Sequence, residues 1–182
     1  LTVANVNDAP AITSSAVTSV NEDAAYSYTF AASDVDAGDS ITLAATTKPS
    51  WLSFNAATGV LSGTPDNDDV GNHSVILTAT DSTGAITTQS FTLTVANVND
   101  APAITSSAVT SVNEDAAYSY TFAASDVDVG DSLTLTATTK PSWLSFNAAT
   151  GVLSGTPDNS DVGNHSVVLK ATDNNGAVDV QS

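Results

Sequence analysis

The sequence contains no cysteine, no methionine and no arginine, and its only lysines are Lys48, Lys140 and Lys170. Without cysteine there is neither a disulfide framework nor thiolate chemistry, so the fold must be fastened in another way. No stretch reaches the ~20 consecutive apolar residues of a membrane-crossing helix, and no basic segment leads into a hydrophobic one as in a secretory leader. Membrane insertion is therefore not expected, and a leader, if the parent protein is exported, lies outside these residues. The scarcity of cations leaves 20 acidic residues almost unopposed, for a net charge of −17. Such a surface repels nucleic acid and anionic membranes, and it strains a compact state unless cations are recruited. Nucleic-acid binding is the function least expected.

What the chain has is repetition. Leu1 to Pro10 returns letter for letter as Leu93 to Pro102, and Leu1 to Ser90 matches Leu93 to Ser182 at 79 of 90 positions. A period of 92 residues is too long for a one-hairpin solenoid unit and suits a small domain that buries its own core. Hydrophobic residues, at 41% of the chain, suffice for such a core. The period predicts residues 1–7 as the final strand and linker of a preceding repeat, 8–99 as repeat 1, and 100–182 as repeat 2 without its final strand.

Within a repeat, apolar residues alternate with polar ones: Tyr26, Tyr28 and Phe30; Ile41, Leu43 and Ala45; Val75, Leu77 and Ala79; Phe91, Leu93 and Val95. Period two marks strands half-buried against a facing sheet. Turn clusters such as Asp36-Ala37-Gly38-Asp39 and Asp81-Ser82-Thr83-Gly84 separate them. With shorter strands near Ala11 to Ser14 and Gly59 to Gly63, each repeat has roughly seven, the number in an immunoglobulin-like or cadherin-like sandwich. The expected fold is all-β, two tandem seven-stranded β-sandwiches. The 11 differences between copies agree with this register: the inward Ile41 becomes Leu133, while Ala44 and Thr78, read as outward, become Thr136 and Lys170.

The frame of the repeats makes the two ends complementary. Leu1 to Val3 copies Leu93 to Val95, while the second repeat stops at Gln181-Ser182, before its own version of that strand. Leu1 to Val3 is expected to supply the edge strand of a neighbouring chain's second repeat, because an unpaired edge templates strand addition. The plain alternative is a segment cut from a longer array, with unpaired ends.

The carboxylates gather at turns and repeat boundaries. Asp34-Val35-Asp36 places two on one side of an extended segment, and like charges this close call for a cation. A set of Asp, Glu, Asn and backbone oxygens suits Ca²⁺, whereas zinc would want clustered Cys or His. Asn97-Val98-Asn99-Asp100-Ala101-Pro102 resembles the interdomain linker of cadherin repeats, Asn113-Glu114-Asp115 their first-strand glutamate, Asp126-Val127-Asp128-Val129-Gly130-Asp131 their paired-aspartate loop, and Ala171-Thr172-Asp173 their late-strand aspartate. Lys48-Pro49-Ser50-Trp51-Leu52-Ser53-Phe54 through Gly59-Val60-Leu61-Ser62-Gly63-Thr64-Pro65 is similar to the dystroglycan-type cadherin-like, immunoglobulin-like repeats of large bacterial extracellular proteins. The resemblance covers essentially all of both repeats.

The resemblance implies a Ca²⁺ site at the junction of the repeats, with Glu22 from the first, Asn97, Asn99 and Asp100 from the linker, and Asp126, Asp128 and Asp173 from the second. It implies another site with Asn5, Asn7, Asp8, Asp34, Asp36 and Asp81. The Asp-Arg-Glu element of cadherins is absent. Asp66, Asp68 and Asp69 occupy that region, and Asp68 becomes Ser160 in the second copy. The plain alternative is that these acids form turns and carry solvated charge.

Trp51 and Trp143, each after Pro-Ser and before Leu, are expected to pack over a sheet end; an exposed indole would instead offer a face to sugar rings. His73 and His165, one per repeat, do not suggest a shared metal or a catalytic base. No nucleophile-elbow pattern and no aromatic-lined carboxylate pair point to hydrolysis, so no enzyme is expected. Lys48 or Lys140 has no local sign of isopeptide chemistry. The expected function is that of calcium-rigidified extender or stalk repeats of a secreted or surface-attached bacterial adhesin-like protein, whose partners are the neighbouring repeats. The alternatives are a calcium-dependent carbohydrate-binding module of a polysaccharide-degrading system and a homophilic adhesion module.

Overall fold

The computed structural model describes residues 1–182 and divides into two compact units, Leu1–Val98 and Asn99–Ser182. Both are all-β, and each is an immunoglobulin/cadherin-like sandwich.

Unit 1 carries β1 (Ala11–Ile12), β2 (Ser19–Asn21), β3 (Tyr26–Thr29), β4 (Ala32–Ser33), β5 (Thr42–Thr47), β6 (Ser53–Asn55), β7 (Val60–Gly63), β8 (Gly71–Thr80) and β9 (Ile86–Ala96). One sheet has the order β2-β9-β8-β5 and the other β3-β7-β6, while β1 and β4 form a short separate pair. Pairing is antiparallel except where β2 runs parallel to the end of β9, with Val20 opposite Val95. The alternation works as read. Tyr26, Tyr28, Phe30, Leu61, Val75, Leu77, Ala79 and Leu93 form one buried cluster, onto which Leu43, Phe54 and Phe91 pack. Buried hydroxyls find partners, as burial demands. Tyr28 Oη donates to Gln89 Oε1 at 2.6 Å, and Tyr26 Oη donates to the Val17 carbonyl at 2.8 Å. Burial, with Tyr28 nearby, pushes the Tyr26 phenol up to about 12.

Unit 2 carries β10 (Ala103–Ile104), β11 (Tyr118–Thr121), β12 (Ala124–Ser125), β13 (Thr134–Thr139), β14 (Leu144–Asn147), β15 (Val152–Gly155), β16 (Val168–Thr172) and β17 (Val178–Gln181). Its sheets run β11-β15-β14 and β13-β16-β17, beside the pair β10-β12. Phe122, Leu153, Leu169 and Ala171 are at the centre of its core. The substituted pair Ala44 and Thr78 of unit 1 are direct cross-strand partners, and so are Thr136 and Lys170 in unit 2. Their joint change is thus a single event on one patch of sheet.

Two differences separate the units. Where unit 1 has a ten-residue β8 running from Gly71, the equivalent β16 begins only at Val168, so residues 163–167 join no strand. No counterpart of β2 forms either, and residues 111–113 are unpaired by any sheet. Both absences have one cause. In unit 1 these stretches are held by Leu93–Ala96, and β17 ends at Gln181, the position of Gln89. Within the single chain, residues 1–4 pair with no strand.

The tryptophans sit half-buried at one end of each sandwich. Trp51 meets Tyr26 and His73 edge-on, with ring centroids 6.2 Å apart in both contacts, and Trp143 repeats this with Tyr118 and His165. His73 Nε2 lies 2.6 Å from the Asp69 carbonyl oxygen. The indoles are therefore packing groups enclosed by other rings.

Candidate metal sites

The linker residues of unit 1 enter against its acidic turns. Asn5 Nδ2 donates to Asp36 Oδ1 at 2.9 Å, the Asp8 amide to Asp36 Oδ2 at 2.7 Å, and Asn7 Nδ2 to Asp81 Oδ2 at 2.8 Å. Asp34 and Asp36 are locked together by the Asp36 amide, which donates to Asp34 Oδ1 at 2.9 Å. All six residues expected at this site, Asn5, Asn7, Asp8, Asp34, Asp36 and Asp81, thus converge on one end of the unit.

A seventh residue joins them. Asp34, Asp36 and Asp39 each bring a carboxylate oxygen within 4.8 Å of the others. Asp39 arrives because the turn Asp36-Ala37-Gly38-Asp39 closes on itself, with the Asp39 amide donating to the Asp36 carbonyl at 3.2 Å and Gly38 at φ +98°. Only glycine takes that backbone conformation without strain. Asp34 Oδ2 and Asp39 Oδ2 are buried and have no hydrogen-bond partner. Three crowded carboxylates with orphaned inward oxygens are electrostatically unsatisfied, and a hard cation coordinated by oxygen would satisfy them.

Asp81 has a different role. Its Oδ1 accepts from the amides of Thr83, Gly84 and Ala85 at 2.9, 2.7 and 2.8 Å. The Asn7 side chain, followed by these amides, holds its carboxyl down at about 2, from an ordinary 3.8. Asp81 therefore stays ionised while it fastens both the linker and the β8–β9 turn.

Unit 2 repeats the arrangement. Asn99 Nδ2 donates to Asp173 Oδ2 at 2.8 Å, the Asp100 amide to Asp128 Oδ2 at 2.7 Å, and the Asp128 amide to Asp126 Oδ1 at 3.0 Å. Asp173 is held below the usual carboxylate range, first by Asn99 and then by the amides of its own turn. Asp126, Asp128 and Asp131 form the second acidic triad, and Asp126 Oδ2 is buried without a partner. Asn175, which replaces Thr83, adds a contact to the Asn99 side chain and one at 3.4 Å to Asp131 Oδ2.

Glu22 is placed apart from the entry cluster of its own unit, where the chain leaves. It is 2% exposed, and its Oε1 accepts from the Val98 amide at 2.5 Å while Oε2 is buried and unpartnered. Asn97 is exposed on the same exit segment. The residues expected at the junction thus fall into two groups, Glu22 and Asn97 in unit 1 and the remaining five in unit 2. Asp68 and Ser160 join neither triad. Each lies in a short 3-10 turn, Asn67–Asp69 or Asn159–Asp161, capped by Asp66 or Asp158.

Residues of this kind recur in known proteins. A protein named "Serine-rich adhesin for platelets" from Staphylococcus aureus strain MRSA252 is 31% identical over 136 residues, which is 75% of this chain and 10% of that protein. The same-named protein of strain MSSA476 matches equally, over 6% of its length. The chain therefore spans a tenth or less of these relatives. Human protocadherin-24 EC1-2 superposes with a TM-score of 0.56 at 18% identity, covering 97% of this chain and 95% of that one. The EC3-6 region of protocadherin gammaB7 superposes with the same score at 22% identity, covering 99% and 52%. At such identities the likeness is one of fold. The sequence model of the Putative Ig domain matches residues 9–96 and again 101–182, and the chain belongs to that family as two tandem members.

Proposed function

We propose that these repeats are extender modules of a secreted or surface-attached adhesin-like protein, and that Ca²⁺ bound where one repeat meets the next sets their stiffness. The buried, unpartnered carboxylate oxygens carry this reading: Asp34 Oδ2, Asp39 Oδ2, Asp126 Oδ2 and Glu22 Oε2. A protein with 20 acids and three lysines has almost no cations of its own to set against them.

The linker supplies the logic. Val98 donates its amide to Glu22, and the next two residues, Asn99 and Asp100, reach Asp173 and Asp128. Three consecutive residues are thus tied first to one unit and then to the other. An ion drawing on Glu22, Asn97, Asn99, Asp100, Asp126, Asp128 and Asp173 would be shared by both, and its binding free energy would favour a single docked state. Asn5, Asn7, Asp8, Asp34, Asp36 and Asp81 would do the same for a repeat before the first. Bound Ca²⁺ would supply charge neutralisation and cross-linking. Similarity to an adhesin supports an extracellular array, where calcium is plentiful.

Titration calorimetry on chelator-treated protein tests the reading. Ca²⁺ is expected to bind with a raised melting temperature, amounting to about 2.7 kcal/mol at a hundredfold excess over Kd. Asp126→Ala is expected to abolish the unit 2 contribution and leave that of Asp34, Asp36 and Asp39. Absence of any binding heat or thermal shift would remove calcium from the account. Pull-down on insoluble polysaccharides separates a spacer, which should stay in the supernatant, from a carbohydrate-binding module.

A further inference from the structure

We infer that unit 2 carries an open acceptor groove for a β-strand and that its occupant is the Leu1–Ala4 segment of a second copy of the chain. The groove is a cavity of about 890 Å³ whose walls include Ser111, Val112, Asn113, Gly163, Asn164 and His165. All six lie in stretches with no strand neighbour. Tyr118 and Val167, beside them, are only half-buried, whereas Tyr26 and Val75 at the matching positions of unit 1 are buried. Glu114 is exposed where Glu22 is enclosed.

Unit 1 shows what fills such a groove. There Leu93, Thr94 and Val95 face His73, Asn72 and Gly71 on one side, while Thr94, Val95 and Ala96 run parallel to Ser19, Val20 and Asn21 on the other. Leu93 and Val95 are 0% and 1% exposed. Shifted by one period, these partners are His165, Asn164, Gly163, Ser111, Val112 and Asn113, the six groove residues just named. The segment that fits them must read Leu-Thr-Val-Ala, and the chain carries a second copy of that sequence, at Leu1 to Ala4. That copy is unpaired, with Val3 88% exposed.

Seated in the groove, Leu1 and Val3 would take the inward places of Leu93 and Val95. Thr2 would bridge residues 111 and 164, and the Val6 amide would come to Glu114 as Val98 comes to Glu22. An open edge and an available strand of matching sequence add by main-chain hydrogen bonds, with side-chain pockets giving specificity. Donor and acceptor lie on different units, so the contact is head-to-tail and propagates into open chains of molecules. Each non-covalent joint would then be followed by Asn5-Val6-Asn7-Asp8, the same residues that follow Ala96 at the covalent joint.

Light scattering coupled to size-exclusion chromatography, run across a concentration series of the 182-residue chain, tests the proposal. Wild type is expected to form a ladder of oligomers that lengthens with concentration. Val3→Asp alters a residue with no contacts to lose in the folded chain and is expected to give monomer only, as is Val112→Asp in the groove. Mixing the two variants is expected to stop at a heterodimer, since Val112→Asp still donates and Val3→Asp still accepts. A synthetic peptide with the sequence of residues 91–100 is expected to cap the ladder and to raise the melting temperature of Val3→Asp. Monomeric wild type at the highest concentration, a ladder that persists in Val3→Asp, or a peptide that neither caps nor stabilises would each overturn the proposal. Closure of a chain on itself would appear as concentration-independent monomer and would equally overturn it.

Discussion

At the scale of the residue, two kinds of aspartate do two different jobs. Asp81 and Asp173 point one oxygen into the amides of their own turn and the other at a linker asparagine. They are satisfied without any ion. Asp34, Asp39 and Asp126 leave a buried oxygen unpartnered. The distinction predicts opposite sensitivities. Because the Asp81 carboxyl lies at about 2 in the folded protein against 3.8 ordinarily, its contribution is fully present above pH 4. It is lost as pH falls through the folded value. In chelator, the melting temperature of Asp81→Asn should therefore sit below that of wild type above pH 4 and converge with it near pH 2; an unchanged gap across that window would contradict the assignment. Asp34-Val35-Asp36 and Asp126-Val127-Asp128 could be read from the sequence because their spacing alone crowds two charges. Asp39 and Asp131 could not, since they reach the cluster only through a turn that depends on a glycine at positive φ.

At the scale of the element, alternation in β3, β5, β8 and β9 was legible because long strands buried on one face repeat the same message several times. β2 and β6 were not, being three residues each with one apolar side chain inward, too short for a period to show. β2 matters most, since it forms only against a strand distant in sequence and is absent where that strand is absent. A second hidden constraint lies at Gly59, in the turn between β6 and β7. Its φ is +70°, and a Cβ there would stand 2.2 Å from the Phe30 carbonyl oxygen. The backbone of β3 is therefore allowed to pass across the turn only if no side chain intervenes, and the Phe30 amide uses that closeness to donate to the Gly59 carbonyl at 2.8 Å. Gly59→Ala should destabilise unit 1 by more than about 1 kcal/mol in chemical denaturation. Gly71→Ala, which meets no atom within 4 Å, should cost less; equal losses would mean that backbone strain and not the close approach governs the turn.

At the scale of the whole molecule, the repeat explains both what could be read and what could not. Two near-identical copies fix the number of domains, the fold class and the inward register, because each position is sampled twice. They say nothing of whether adjoining units share an ion, since the same carboxylates would recur in either case. That sharing is the central claim, and the lack of native cysteine gives a direct route to it. With dyes attached at Ala57→Cys and Ala149→Cys, both in exposed turns, single-molecule energy transfer at picomolar protein reports one chain at a time, far below any concentration at which copies associate. The account predicts a broad transfer distribution in chelator that narrows to a single sharp population as Ca²⁺ is added, and that stays broad at all Ca²⁺ concentrations in Asp126→Ala. A distribution equally wide with and without Ca²⁺ would contradict it.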